Sequence, residues 1–124
     1  MTIVMKFGGS SVKDAQKMRE VAGIVKSQLN KKPVVVLSAC KGITDKLIET
    51  AKKANEGEDV SILLDEIAKL HHNIIKDLGL SNSIVEPVLD EFYDLIAKIK
   101  ENNELNDEIL DHAQSFGEML STRI

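Results

Sequence analysis

Two short apolar runs, residues 3–7 (IVMKF) and 33–38 (PVVVLS), limit what this chain can become. Neither alternates with polar residues. That is the pattern of strands buried on both faces of a parallel sheet, not of strands half-solvated in an antiparallel one. The second run is rich in β-branched Val and opens on Pro33, at the strand position where a missing N–H is tolerated. Between the runs, Ala15, Met18, Ala22, Val25 and Leu29 recur at alternating three- and four-residue steps and form one apolar helical stripe. Ser11 is placed to cap that helix, with Asp14 three residues on. Strand, helix and strand at this length make a βαβ unit, and its crossover is right-handed.

The rest of the chain reads as helix. One segment covers residues 44–54 and a longer one runs from about 59 to 78, with Val60, Leu63, Leu64, Ile67, Leu70, Ile74 and Ile75 on one face. Gly79 is placed to end it. Ser83 and Glu86 have the spacing of a capping box for the next helix, and Pro87 falls early enough there to be harmless. The last helix is expected to start near Asn106 and to bury Ile109, Ala113, Phe116 and Leu120. Two strands make a poor sheet, and a parallel pair needs cover on both faces. The final residues, Ser121-Thr122-Arg123-Ile124, carry no helix stop. The expectation is therefore the first part of a larger α/β domain.

Composition excludes several classes. With 43% hydrophobic residues, 7 Gly and 2 Pro in 124 residues, the chain is neither disordered nor fibrous. No apolar stretch approaches the length of a membrane span, and the N-terminus lacks the layout of a secretory signal. Cys40 is the single cysteine, which suits a reducing cytoplasm. The net charge of −4 hides an asymmetry: residues 1–54 carry +7 and residues 55–124 carry −11. A basic first half suggests an anionic ligand, although charge counts alone favour solvated helix faces. Nucleic acid is not expected, because no dense Lys/Arg stripe interleaves with aromatics.

Three segments can carry chemistry. Lys6-Phe7-Gly8-Gly9-Ser10-Ser11 leaves a strand and enters a helix. Glycines there let backbone N–H groups approach an anion, and a lysine and two hydroxyls add charge and donors. It matches neither GxxxxGK[ST] nor GxGxxG, so a plain turn and an anion cradle are both open. Ser38-Ala39-Cys40-Lys41-Gly42-Ile43-Thr44 lies at the carboxyl end of the second strand, where ligands of open α/β sheets bind. Ser38 and Thr44 are candidate donors there, or merely a strand-end bond and a helix cap. Ser115-Phe116-Gly117-Glu118 places a glycine inside a helix at a cost of about 1 kcal/mol relative to Ala, which points to a close approach. Glu118 lies off the apolar face, where a solvated side chain is the default reading. His71 and His72 diverge on a helix and cannot share a metal; His112 reads as a surface residue and Cys40 as a small buried hydrophobe.

Taken together and in this order, Lys6-Phe7-Gly8-Gly9-Ser10-Ser11-Val12, Val35-Val36-Leu37-Ser38-Ala39 with Gly42-Ile43-Thr44, and Ser115-Phe116-Gly117-Glu118-Met119-Leu120-Ser121 resemble the start of the aspartokinases, a branch of the amino acid kinase family. The resemblance covers essentially the whole chain. It implies the N-terminal part of a three-layer α/β/α sandwich. Residues 1–58 would form a βαβα phosphate- and substrate-binding segment and residues 59–124 a helical one. The C-terminal half of the kinase domain and the ACT regulatory domains would lie outside it. It implies transfer of the ATP γ-phosphoryl group to the β-carboxylate of L-aspartate with Mg²⁺, the entry to lysine, threonine and methionine. Lys6 would be catalytic; Lys6, Gly8, Gly9 and Ser10 would bind phosphate; Ser38, Thr44 and Glu118 would bind substrate. No metal ligand is assigned. The complete enzyme would be a cytoplasmic homo-oligomer, and the 124 residues alone would be inactive. Ser10 stands where the family commonly has Thr, and the hydroxyl is kept.

Two rivals remain. One is another family member acting on carbamate, glutamate, acetylglutamate or UMP, against which the Ser-Phe-Gly-Glu segment and the double serine argue. The other is a non-catalytic substrate-binding or partner-assembling fragment.

Overall fold

The structure is a computed structural model and describes residues 2–124. Strand β1 (Val4–Phe7) and strand β2 (Val34–Leu37) pair in parallel, with Val4 opposite Val34 and Phe7 opposite Leu37. Helix α1 (Ala15–Ser27) makes the crossover. Helices α2 (Ile43–Asn55), α3 (Ser61–Asp77), α4 (Glu86–Asn102) and α5 (Asp107–Arg123) follow. The expected α/β class, with parallel strands and a mainly helical second half, is what forms.

Helix α2 is the hub. It buries Ile43, Leu47, Thr50, Ala51 and Ala54, a stripe broad enough to meet α3, α4 and α5 at once. Ala51 and Ala54 let neighbours approach closely, and the Thr50 hydroxyl is satisfied within the helix by donating to the Lys46 carbonyl at 2.6 Å. Around it pack Ile67 and Ile75 from α3, Leu89, Phe92 and Ile99 from α4, and Phe116 and Leu120 from α5, all fully buried. The Phe92 and Phe116 rings lie tilted at 57° with centroids 5.3 Å apart, which joins α4 to α5.

Several local expectations hold. Gly79 adopts φ 74° and ends α3, with Leu80 N–H donating to the Ile75 carbonyl at 2.9 Å. Asn106 caps α5 through the Ile109 N–H at 2.8 Å. Others do not. Ser11 caps nothing: the chain first makes a 3-10 turn over Gly9–Val12, and Asp14 caps α1 by accepting from Lys17 N–H. The Ser83–Glu86 box is not formed either: Ser83 lies in a 3-10 turn, α4 starts only at Glu86, and the Glu86 carboxylate pairs with His72 Nε2 at 2.8 Å.

The strands are not buried on both faces. Phe7, Val35 and Leu37 turn towards α1, where Val35 and Leu37 share an open apolar hollow of about 620 Å³ with Met18, Val25 and Leu78. Val4, Lys6, Val34 and Val36 occupy the opposite face, and Val4 is 71% exposed. Among the described residues nothing packs there. Leu29 also leaves the α1 stripe, since the helix stops at Ser27 and Leu29 enters a 3-10 turn.

His71 is fully buried on α3. Its Nδ1 lies 2.7 Å from the Ile67 carbonyl, which can only accept, so Nδ1 carries the proton and Nε2 is left a buried acceptor without a partner. Burial, above all, holds its pKa below the ordinary 6.5; the Ile67 carbonyl opposes this and His72 adds to it. The unfolded chain therefore takes up the proton first, and stability falls as pH drops through about 6.5. Replacement His71→Leu removes that acid-side loss, so the urea midpoint of the variant rises relative to that of the parent between pH 7.5 and pH 5.5.

Candidate active site

The site is built at the carboxyl ends of the two strands. Parallel pairing places Phe7 and Leu37 side by side, and Ser38 N–H continues the ladder by donating to the Phe7 carbonyl at 3.0 Å. The chain after β1 turns through Gly8 and Gly9 into the short 3-10 turn, where Ser11 N–H donates to the Gly8 carbonyl at 3.0 Å. The chain after β2 turns through Ala39, Cys40 and Lys41 into α2. Gly42, at φ 84°, supplies the left-handed residue that starts the helix. Thr44 is thus the second residue of α2 and not its cap.

The two turns touch. A Cβ on Gly9 would stand 3.0 Å from the Ala39 carbonyl oxygen and 3.5 Å from the Lys41 Cα. Gly8 has open space on the same test, with ordinary extended backbone. Of the double glycine, Gly9 is the one the packing requires, and Gly8 stays free to face a ligand.

Helix α5 closes the third side. A Cβ on Gly117 would lie 2.5 Å from the Ala39 Cβ and 3.3 Å from Leu47 Cδ1, so the helical glycine pointed to by its cost marks a close approach to the β2 corner. One turn on, the buried Ser121 hydroxyl donates to the Ser38 carbonyl at 2.7 Å. Ala39 and Ser121 fall within the sequence motifs, which give neither of them a role. The signal for Ser121 was its i, i+4 spacing from Gly117, which puts both on one helix face.

The candidate residues are therefore placed as follows. Ser38, Gly9 and the Gly117–Ser121 turn are brought together at one corner. Glu118, beside Gly117, is exposed; Thr44 and Ser38 are half-buried at the same end of the sheet; Gly8 and Ser10 are exposed on the adjoining turn. Lys6 pairs with Val36 in register and is exposed on the open face of the sheet. Among the described residues neither Lys6 nor Glu118 forms an ion pair, so both charges are free for a ligand. Exposed Gly8, exposed Ser10 and an uncommitted Lys6 at one strand end suit an anion. Among the described residues no three His, Cys, Asp or Glu side chains group to hold a metal ion. Cys40 is buried, and burial pushes its thiol up to about 11, so it is an inert hydrophobe and not a nucleophile. His112 is exposed and stacks on Phe116 at 5.2 Å. No helix among the described residues is long and apolar enough to cross a membrane.

Comparison with known proteins gives one consistent answer. The model of the amino acid kinase family matches residues 1–124. Two chloroplastic aspartokinases of Arabidopsis thaliana, aspartokinase 2 and aspartokinase 1, are 37% and 39% identical to the chain over its whole length. The chain spans 24% and 22% of them, about a quarter of the length of the curated relatives it matches. The crystal structure of E. coli aspartokinase III in complex with aspartate and ADP superposes with a TM-score of 0.79 at 31% identity, over 98% of this chain and 27% of that one.

The glycine geometry gives a direct test. Gly9→Ala forces a methyl against a backbone carbonyl and lowers stability by about 1–3 kcal/mol, whereas Gly8→Ala stays within about 0.5 kcal/mol of the parent. Urea denaturation of the two variants measures the difference.

Proposed function

The chain belongs to the amino acid kinase family, and on that premise we propose that the whole protein is an aspartate kinase. It would transfer the γ-phosphoryl group of ATP to the β-carboxylate of L-aspartate, the first step towards lysine, threonine and methionine. The observation that carries this reading is the convergence of three separate motifs on one corner: Gly9 against Ala39, Gly117 against Ala39, and Ser121 on Ser38. Relatives named as aspartokinases, and a solved aspartokinase holding aspartate and ADP, support the choice of substrates.

The placement supports the roles that the resemblance implies. A β-carboxylate oxygen attacks the γ-phosphorus, the bond to the β–γ bridging oxygen breaks, and ADP departs. The step needs alignment and charge stabilisation more than proton transfer. Lys6 offsets the charge where a carboxylate meets a triphosphate. Gly8 and Gly9 admit the phosphate to backbone N–H groups, and Ser10 adds a hydroxyl. Ser38 and Thr44 border the amino acid, and Glu118 pairs with its ammonium group. Mg²⁺ supplies further neutralisation of phosphate charge when bound. Among the described residues no three His, Cys, Asp or Glu side chains group to hold a metal ion, and no protein ligand of Mg²⁺ is assigned to them.

The exposed Val4, Lys6, Val34 and Val36 face supports a second reading for residues 1–124 on their own, that of a partner-assembling fragment without turnover. The complete enzyme is taken as a homo-oligomer. The cytoplasm is kept as its compartment, which a lone buried thiol suits, although the Arabidopsis relatives are chloroplastic.

The test is aspartyl hydroxamate formation with Mg-ATP, L-aspartate and hydroxylamine. The whole protein is expected to turn over, with Lys6→Ala lowering kcat by about 100-fold or more and Glu118→Gln raising KM for L-aspartate about tenfold or more. Residues 1–124 alone are expected to give no product above the blank. Activity with glutamate, carbamate, acetylglutamate or UMP in place of L-aspartate would transfer the reading to that substrate.

A further inference from the structure

Neither Gly117 nor Ser121 presents a group to a substrate, yet together they fix the corner at which the substrate is read. The Ala39 residue is wedged: its methyl meets α5 at Gly117, and its carbonyl meets the first turn at Gly9. The preceding Ser38 is held from both sides, its N–H by the Phe7 carbonyl at 3.0 Å and its carbonyl by the Ser121 hydroxyl at 2.7 Å. Ser121 is buried and lies three residues from Glu118 and four from Gly117. A single turn of α5 therefore carries a close backbone contact, a buried hydrogen bond and the exposed carboxylate.

We propose that Gly117 and Ser121 are positioning residues that lock α5 onto the Ser38–Ala39 corner and thereby set where Glu118 stands relative to Ser38 and the Gly8-Gly9 turn. This rests on the reading of Glu118 as the contact for the substrate ammonium. A helix is stiff over one turn, so a shift at Gly117 is passed to Glu118 with little loss. A methyl at Gly117 would sit 2.5 Å from the Ala39 Cβ. Ordinary carbon–carbon contact needs about 3.5–4.0 Å, so the helix must retreat by about 1 Å. Misplacement on that scale costs an enzyme about 100-fold at the extreme. The phosphate-facing turn meets the carbonyl of Ala39 at Gly9, whereas α5 meets its methyl, so the nucleotide side should be affected less.

The geometry also supplies its own rescue. The Ala39 Cα lies 3.7 Å from the Gly117 Cβ position, an ordinary contact, so Ala39→Gly makes room for the methyl of Gly117→Ala once Leu47 Cδ1, the far end of a flexible side chain at 3.3 Å, gives by a few tenths of an ångström. The double variant moves one methyl across the contact and leaves the volume unchanged.

The experiment measures hydroxamate kinetics of the whole protein against L-aspartate and against ATP for the parent, Gly117→Ala, Ser121→Ala and Ala39→Gly/Gly117→Ala. Expected are a rise in KM for L-aspartate of about tenfold in Gly117→Ala and about threefold in Ser121→Ala, with KM for ATP changed less than about twofold in both. The double variant should return KM for L-aspartate to near the parent value. A purely structural role would lower the melting temperature and the active fraction while leaving KM for L-aspartate where it was. If Gly117→Ala does not fold, Ser121→Ala and the double variant decide. An active parent whose variants keep KM for L-aspartate, raise both KM values together, or are not rescued by Ala39→Gly overturns the positioning role and leaves the kinase reading intact. A parent that forms no aspartyl hydroxamate overturns the kinase reading, and the positioning role with it.

Discussion

Parallel strands cannot be joined by a tight turn, and everything at the candidate site follows from that constraint. A parallel pair needs a crossover, here helix α1, and the crossover brings both strands to the same end of the sheet. The turn after β1 and the turn after β2 are forced to be neighbours although some thirty residues separate them. Gly9 makes that proximity tolerable, because any side chain there would strike the Ala39 carbonyl. The glycine-rich turn is thus a packing requirement first, and its openness to an anion is a consequence at Gly8.

The helical half of the chain supplies the other wall of the site. Helix α2 starts from the β2 corner and is packed against α3, α4 and α5 by a stripe of Ile, Leu, Thr and Ala. Leu47 on α2 and Ala39 at the corner both lie within contact of the Gly117 position, so α5 is seated by the hub helix and the strand end together. The long α3–α4 excursion is what returns α5 to the sheet. The tilted pair of Phe92 and Phe116 holds that return, one residue from Gly117 and two from Glu118.

How much of this the sequence shows depends on distance along the chain. Gly79 and Asn106 do as their local patterns say, because a left-handed stop and a side-chain cap involve only their own turns. Ser83 and Glu86 do not, because a 3-10 turn takes up Ser83 before α4 begins and His72, fourteen residues before Glu86, pairs with its carboxylate. The burial expected of Val34, Val35 and Val36 fails for a related reason: continuous β-branched residues describe what a strand needs over it, not what the present residues place there. At the site, the cost of a helical glycine announces a close approach at 117, but Ala39, the partner 78 residues away, is visible only in three dimensions. The Ser121–Ser38 bond, spanning 83 residues, escapes local pattern altogether.

The open face of the sheet and the chemistry assigned to it belong to one argument. Phosphoryl transfer depends on charges acting in a dry, preorganised setting, where they are worth far more than in water. Lys6 is ready in sequence position and register, yet its neighbours Val4, Val34 and Val36 are exposed, so its ammonium group faces solvent. An apolar layer laid over those valines would bury unsatisfied hydrophobic surface and, in the same act, lower the dielectric around Lys6. On the proposed reading, folding and catalysis then call for the same cover. That shared demand is what, on the same reading, ties the two turns, the lysine and the carboxylate to turnover.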